Sequence, residues 1–398
     1  MPYHNKFRLL HFTLQQNLEE VYANIFLKTF ALSLIGVFVP VYFLHELGLA
    51  FHEVLLYYLS LSLFLMVGYL FGAFFCNRIG LKKLVLLSIP FHLLHYFLLY
   101  HLEFSPIPLW VIGAFYGIAE GMFWLSYNVN FAHFSDRKHR GEEVNLRYIL
   151  AAGIGIVGPF LGGFLLTYMS FYIVFVLVIL LLLFSVFPLF HITEEQRHVH
   201  FSFNDVFYEK NLTYTPRFFV EGMRGVVSGV FWPIFIFVIV KDYFSLGMVS
   251  SVASLFSSVV VWVIANRVDT FDRDRKKRFT DTFSLIHGLV SFVKATLSEV
   301  FHVYIVGVLS LITYGVTEVS LEAISFNKAN KNRKVVGFFV FRDIVLNVAR
   351  IFTLGLLFFS GLDMVASLKL GFILLGATSV LQKFLAPSYK NVAKNSSL

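Results

Sequence analysis

The amino-acid sequence predicts an all-α membrane protein of twelve transmembrane helices, arranged as two related bundles of six. Three observations lead to this prediction. First, 58% of the residues are hydrophobic and only 14% are charged, whereas soluble proteins carry about 25% charged residues. Second, apolar runs long enough to cross a bilayer alternate with short polar loops. Third, the second half of the chain repeats features of the first.

Each predicted helix is an apolar run that ends at charged residues, proline or glycine. In the first half these runs cover 20–44, 53–77, 82–100, 108–133, 144–168 and 170–190. In the second half they cover 217–240, 247–266, 279–298, 301–325, 335–360 and 364–386. The domains predicted from them are an N-terminal six-helix bundle, a cytoplasmic linker and a C-terminal six-helix bundle, at 1–190, 191–216 and 217–398.

The basic residues predict which way the helices run. Lysine and arginine are concentrated in alternate loops, and Lys241 is the clearest exception. Because cytoplasmic loops carry an excess of these residues, both termini are predicted to be cytoplasmic in a multi-pass protein of the cell membrane. The N-terminus has no apolar run that ends at a small-residue cleavage site, so we expect no signal peptide.

Several function classes are disfavoured by the residues present. The single cysteine, Cys76, cannot form an internal disulfide or a cysteine-based metal site. No Gly-x-x-x-x-Gly-Lys-Ser/Thr loop is present to bind ATP phosphates, and no nucleophile–base pair indicates an enzyme. The basic run 272–278 is a short loop between two spans, which topology and anionic-lipid contact explain better than nucleic acid. We therefore expect no cofactor and no metal.

An internal repeat links the two predicted bundles. Corresponding positions of the two halves carry Pro40 and Pro233, Asn77-Arg78 and Asn266-Arg267, and Arg147 and Arg342. Many secondary transporters consist of two such duplicated halves, and their substrate site lies at the interface near the membrane midplane.

Two short motifs resemble those of the major facilitator superfamily. The run Asn77-Arg78-Ile79-Gly80-Leu81-Lys82-Lys83 is similar to the family's Asp-Arg-x-Gly-x-Lys/Arg-Lys/Arg motif, with Asn77 in place of the acidic residue. In the fifth helix, Gly158-Pro159 followed by Gly162-Gly163 resembles the Gly-Pro-x-x-Gly-Gly sequence of family antiporters. The family's fourth-helix motif is present only in outline, as Glu120-Gly121 without its arginine.

The resemblance implies the superfamily's fold and transport by alternating access. It implies a gating role at the cytoplasmic side for Asn77, Arg78, Gly80, Lys82, Lys83, Arg147 and Arg342. The alternative for the basic residues of this set is that they only determine topology. The fifth-helix glycines and proline would form a sliding or rocking helix interface, and ordinary small-residue packing is the alternative.

Ionisable residues inside the apolar runs are the candidates for binding. Each costs at least about 2.5–3.5 kcal/mol near the membrane centre, so each should face a cavity or a partner. In the superfamily, helices one, four, seven and ten line the central cavity. On these helices and on helix eleven, the residues predicted to bind substrate or protons are Lys28, Glu120, Trp124, Tyr127, Glu221, Arg224, Tyr314, Glu318, Glu322 and Arg350.

Some of these residues have a simpler interpretation. Glu221 and Arg224 are three residues apart and would neutralise each other on one helix. Lys294 is predicted to extend outward from helix nine to the membrane surface, and His92 is predicted to have a packing role.

The prediction is a secondary active transporter that moves a small solute by alternating access. The near balance of acidic and basic residues in the helices favours coupling to protons, and the fifth-helix motif favours efflux by antiport. The charge-rich cavity also allows uptake of a polar or zwitterionic metabolite. The alternative is a membrane protein on the same scaffold that acts as a sensor or assembly partner without transport. The expected partners are a small-molecule substrate, protons and the bilayer, with no nucleic acid, and the protein is expected to be a monomer.

Overall fold

The computed structural model describes residues 20, 22–134, 140–191, 201–268, 273–331 and 334–385. All regular secondary structure within these ranges is helical. In chain order the long helical segments are α1 (Tyr22–Glu46), α2 (Phe51–Ile79), α3 (Leu81–His101), α4 (Leu109–Phe134), α5 (Arg140–Tyr168), α6 (Phe171–His191), α7 (Thr215–Val240), α8 (Tyr243–Val268), α9 (Arg273–Lys294), α10 (Val300–Lys331), α11 (Val335–Phe359) and α12 (Met364–Leu385).

Ten of these segments in the described residues are long and apolar enough to cross a membrane. The two that fall short are α9 and α11. Helix α9 begins with six charged residues in succession, and α11 carries Arg342, Asp343 and Arg350 within its length. An all-helical arrangement is expected in lipid, because a helix satisfies its own backbone hydrogen bonds.

The predicted ends of two helices are wrong. Helix α9 covers Arg273–Lys294 instead of 279–298, and α10 continues to Lys331 instead of ending at 325. Charged side chains mark where a helix leaves the apolar core, but the helix itself can continue into water or the headgroup region. At the start of α9 and at the end of α10, the helix therefore extends beyond the apolar run.

The repeated prolines lie in irregular parts of equivalent helices. In α1, Pro40 follows a turn at 36–38 and precedes a π-helical turn at Tyr42–Glu46. In α7, the π-helical turn Val227–Phe231 comes just before Pro233. Proline removes one backbone donor and disturbs the preceding turn, which accounts for the turn at 36–38 in α1 and for the π-helical turn before Pro233 in α7.

Glycines on α4 place this helix directly against α2. A Cβ atom on Gly113, Gly117 or Gly121 would collide with the α2 backbone. Because these glycines recur every four residues, they form one face of α4, and close backbone approach needs small residues along such a face. Glu120 directly precedes Gly121 in the sequence. The contact between α4 and α2 therefore also fixes the position of the Glu120 backbone along the helix axis.

Between the first six and the last six helices, α5 packs against α8 and α2 packs against α11. Gly163 of α5 and Gly247 of α8 lie face to face, and a Cβ on Gly163 would be 2.7 Å from the carbonyl oxygen of Tyr243. On the neighbouring face of α5, Gly158 and Gly162 contact α1. The fifth-helix motif thus contacts α1 in its own half and α8 in the other half.

Contacts between the halves occur at both ends of the molecule. At the end where segment 201–214 lies, here called the linker end, the rings of Phe131 and Phe326 are 4.8 Å apart. At the opposite, distal end, the Tyr243 hydroxyl donates a hydrogen bond to the Glu46 carboxylate and lies 3.1 Å from Nδ1 of His45. The space between the two halves therefore has contacts above and below it.

A glycine substitution tests the packing of α5. In Gly162→Ala the new methyl group would lie 2.8 Å from the Phe38 ring and closer still to the Leu34 carbonyl oxygen. We expect this overpacking to destabilise the protein by about 1–3 kcal/mol, measured as a lower midpoint of thermal unfolding in detergent. Gly153→Ala is the matched control, because no atom outside its own helix lies within 4 Å of a Cβ there. An equal loss in both variants would contradict this packing.

Candidate functional site

A cavity of about 380 Å³ lies between the two halves. Helices α2, α4, α7, α10 and α11 contribute its wall, and a cavity of this size accommodates a small organic molecule. The sequence-predicted residues that line it are Glu120, Trp124, Glu221, Tyr314, Glu318, Glu322, Arg342 and Arg350. Tyr69 and Asn128 also line the cavity and were not predicted from the sequence, whereas Asp343 was predicted for the cytoplasmic gate, together with Arg342, and also lines the cavity.

Three residues predicted to face the cavity, Lys28, Tyr127 and Arg224, do not line it. The Tyr127 ring is buried among those of Phe123, Trp124 and Phe131. Lys28 and Arg224 are each only 1% exposed, and from behind the cavity wall they contact the lining carboxylates of Glu120 and Glu221. Helical spacing identifies the polar face of a helix, but a long side chain on that face can turn to a neighbouring helix instead.

A buried cluster on α1, α3 and α4 lies immediately behind one wall of the cavity. The Lys28 ammonium and Nε2 of His92 are each 2.7 Å from the same carboxylate oxygen, Oε1 of Glu120. Nε1 of Trp124 donates to the other oxygen, Oε2, at 2.5 Å. The ammonium also lies over the Phe123 ring. We refer to Lys28, Glu120 and His92 as the N-half cluster.

The partners of His92 determine how many protons the N-half cluster holds. Its Nδ1 is 3.0 Å from the Ser88 carbonyl oxygen, which can only accept, so Nδ1 carries the hydrogen. In a neutral imidazole Nε2 then has no hydrogen to donate. The 2.7 Å contact between Nε2 and Glu120 is therefore a hydrogen bond only if one further proton is present, on Nε2 or on the carboxyl group.

His92 is a site residue that the sequence did not identify. A histidine in an apolar helix usually has a packing role, and its partner Glu120 lies 28 residues away on another helix. No local spacing signals such a contact. The packing role predicted for His92 was therefore incomplete, since the ring also hydrogen-bonds the cavity carboxylate.

The second group of buried charges lies in the C-terminal half. Nη1 of Arg224 donates to Glu221 at 2.5 Å and to the Thr317 hydroxyl at 3.1 Å. Nη2 donates to the Ser284 hydroxyl at 2.9 Å, and Ser284 donates in turn to Gln382. The structure thus shows the local neutralisation of Glu221 by Arg224, and the arginine joins α7 to α9, α10 and α12.

Helix α11 carries the remaining charges of the cavity wall. Nδ2 of Asn347 donates to the Asp343 carboxylate at 3.0 Å, and Nη1 of Arg350 donates to the Asn347 side-chain oxygen at 3.1 Å. The Arg342 guanidinium lies 4.9 Å from the centre of the Phe339 ring. Arg342, predicted for the gate, is therefore also part of the cavity wall.

The motif between α2 and α3 forms a tight turn at the linker end. Gly80 has φ +88°, a conformation that residues with a side chain rarely adopt, which explains glycine at this position. The side chains of Asn77, Arg78 and Lys83 are exposed and that of Lys82 is half-buried. The side chain of Arg147 lies outside the described residues. The gating role of this set stays a prediction.

Lys294 does not extend to the membrane surface, so that prediction was wrong. The side chain is fully buried at the end of α9, and its ammonium lies 4.3 Å from the centre of the Trp232 ring. An aromatic face attracts a cation and can replace some of its solvation, which accounts for the inward position.

In the part of the chain that the structure describes, no group of three or more histidine, cysteine, aspartate and glutamate side chains could hold a metal ion. The described wall of the cavity offers carboxylates, guanidinium groups and aromatic rings. Charged groups of this kind can orient a polar solute, and a carboxylate can also take up a proton.

Comparison with known proteins identifies the family. The Major Facilitator Superfamily profile matches residues 21–354, and the chain therefore belongs to this superfamily. The family match and the ten apolar helices of the described residues make it a multi-pass membrane protein of this superfamily. A curated relative, the uncharacterized protein YqgE of Bacillus subtilis (strain 168), is 24% identical over 265 residues. That alignment covers 61% of this chain and 58% of the relative's length.

Solved transporter structures share the fold at low sequence identity. A bacterial homologue of the human drug peptide transporters PepT1 and PepT2 has a TM-score of 0.72 at 10% identity, covering 96% of this chain and 99% of that one. A D-xylose-proton symporter has a TM-score of 0.70 at 12% identity, with coverages of 95% and 97%. The human organic anion transporter MFSD10 has a TM-score of 0.68 at 11% identity, with coverages of 94% and 99%.

A double-mutant cycle tests the N-half cluster. We expect Glu120→Gln and Lys28→Met each to lower the free energy of unfolding by about 3–5 kcal/mol, because each leaves a buried charge without its partner. The double variant should lose less than the sum of the two single variants. Chemical or thermal unfolding in detergent measures the three changes. Strictly additive losses would show that the two side chains do not interact.

Proposed function

We propose that this protein is a proton-coupled secondary active transporter of a small solute. The two halves, 1–190 and 217–398, would rock against each other about the linker 191–216 and open the cavity to one side at a time. The arrangement of contacts supports this proposal. The cavity lies between the halves, and separate contacts cross between them at the linker end and at the distal end.

The observation that carries the proton coupling is the N-half cluster. Glu120 lines the cavity while its carboxylate contacts Lys28 and His92, and the His92 hydrogen bond requires a proton on Nε2 or on the carboxyl group. A carboxyl group of this kind has two ways to be neutralised, by a proton or by the ammonium of Lys28. If the balance between them differs in the outward-open and inward-open states, each cycle moves a proton across the membrane.

The helix contacts between the halves support a rocking motion. Gly163 and Gly247 let α5 and α8 approach closely, and such small-residue interfaces slide with little side-chain rearrangement. In this proposal the Glu46–Tyr243 contact closes the distal end and the Phe131–Phe326 contact closes the linker end. The turn at Asn77–Lys83 would help to close the linker end.

The remaining cavity charges would hold the solute. Glu318 and Glu322 are one helical turn apart on α10, opposite Arg342 and Arg350 on α11. Groups of both signs suit a polar or zwitterionic solute better than a hydrocarbon.

The proposed setting is the cell membrane, with both termini in the cytoplasm and the protein acting as a monomer. The distribution of basic residues supports this orientation, since it would place the Gly80 turn and the basic start of α9 at the cytoplasmic face. The fifth-helix motif, which resembles that of antiporters, makes efflux in exchange for protons the direction to test first.

Transport in proteoliposomes tests the coupling. The proteoliposomes enclose a pH-sensitive dye that reports proton movement across their membrane. A panel of solutes is screened for proton movement that the solute drives, with and without an imposed pH gradient. We expect Glu120→Gln to reduce this movement by at least about tenfold, a change of roughly 1.4 kcal/mol, because the glutamine cannot take up a proton. Glu103→Gln is the matched control, since Glu103 is an exposed carboxylate of the distal α3–α4 loop.

Two results would contradict the proposal. One is solute transport by the wild-type protein that is unaffected by the pH gradient and by an uncoupler. The other is proton movement in Glu120→Gln equal to that in Glu103→Gln.

A further inference from the structure

A second cavity, of about 230 Å³, adjoins the first on its distal side. Helices α1, α2, α3, α4, α7 and α11 form its wall. Tyr116, Gly225 and Arg350 line both cavities, so the two spaces meet at these residues. We call this second space the aromatic pocket, after the residues described next.

Aromatic rings form one side of the aromatic pocket. Its lining includes Tyr57, Tyr58, Tyr96 and Tyr116 together with His95. The rings of Tyr57 and Tyr58 meet edge to face with centroids 4.8 Å apart, and those of His95 and Tyr116 are 4.6 Å apart. Because these rings already contact one another, the wall is pre-formed and offers π faces and edges to an aromatic ligand.

Arg350 is the one side chain of permanent charge that lines the aromatic pocket in the described residues. Acidic residues line the first cavity, on the other side of Arg350, but no described acidic residue lines the aromatic pocket. An anionic group that approaches Arg350 from the aromatic pocket therefore meets a cation without adjacent carboxylates.

The Arg350 guanidinium is also weakly partnered compared with the charged groups of Lys28 and Arg224. Lys28 and Arg224 each form an ion pair at 2.7 Å or less, whereas Arg350 has no carboxylate oxygen within 4.0 Å among the described residues. Among the described residues its one side-chain hydrogen bond is to the neutral amide of Asn347. A guanidinium offers five donor hydrogens in a planar fork that matches a carboxylate, so most of this capacity remains for a ligand.

We propose that the aromatic pocket and Arg350 bind an aromatic carboxylate. The carboxylate pairs with the Arg350 guanidinium, and the ring lies among the tyrosines. The inference rests on the proposed function, because it assigns the substrate class of the same transport site. The pocket volume is below that of typical drug-binding sites, which limits this part of the ligand to one ring with a short side chain.

Ligand binding to purified protein tests the inference without transport. The probes share one skeleton: 3-phenylpropionate, 3-phenylpropylamine and 3-phenylpropanol, with propionate as the probe that lacks the ring. Ligand-induced stabilisation is followed by thermal unfolding in detergent, and titration gives the apparent affinity. We expect 3-phenylpropionate to stabilise the wild-type protein more than each of the other three compounds.

Substitutions assign this binding to the proposed groups. Arg350→Gln should weaken 3-phenylpropionate binding by at least about tenfold, and Arg350→Lys should also weaken it, because lysine lacks the planar fork. Arg275→Gln is the matched control, since Arg275 is an exposed arginine near the start of α9. Tyr58→Leu should weaken binding of 3-phenylpropionate more than that of propionate, which tests the aromatic wall even if Arg350→Gln does not fold.

The outcomes separate this inference from the proposed function. Stronger binding of the amine or the alcohol, or unchanged binding in both Arg350 variants, would overturn the aromatic carboxylate. Carboxylate binding that depends on Arg350 and Tyr58 would support it, even in a protein whose transport proves independent of protons. Proton-coupled transport of other solutes, with no binding of 3-phenylpropionate, would uphold the proposed function and refute this inference.

Discussion

The structure depends on one constraint, which is that a charge inside a membrane must have a partner. An unpaired carboxylate or ammonium is costly in lipid, so interior charges turn toward each other or toward water. Glu120 shows this most clearly, because Lys28, His92 and Trp124 approach it from α1, α3 and its own helix. The same constraint draws Glu221 to Arg224 and makes the weakly partnered Arg350 stand out. Charge pairing thus holds helices together in each half and leaves ligand-binding capacity at the cavity between them.

Much of the fold follows from the sequence, because lipid permits few arrangements. A chain with this composition must form helices long enough to cross the bilayer, and its basic residues predict the side of each loop. The ends of α9 and α10 could not be predicted in the same way, since their helices continue past the apolar core. The close packing of α4 on α2 through Gly117 and Gly121 was also beyond the sequence, because nothing in one helix shows which neighbour its glycines face.

The site was predicted less completely than the fold. Helical spacing correctly put Glu120, Glu318 and Glu322 on faces that line the cavity, because a backbone position is fixed by its helix. It failed for Lys28 and Arg224, whose long side chains end several ångströms from their backbones and turn to partners on or near the cavity wall. His92 was missed because its contact joins residues far apart in the chain. Side-chain direction and contacts between distant residues are tertiary properties, and no single-helix pattern contains them.

Measuring which ring nitrogens of His92 carry hydrogen tests the N-half cluster most directly. Nitrogen-15 NMR of protein labelled at histidine, with His92→Gln to assign the signal, reports which ring nitrogen is protonated. We expect a protonated Nδ1 that donates to the Ser88 carbonyl oxygen. We expect Nε2 either to be protonated or to accept a strong hydrogen bond from a protonated Glu120. A neutral His92 with its only hydrogen on Nε2 would contradict this expectation, because that ring could hydrogen-bond a Glu120 carboxylate without any additional proton.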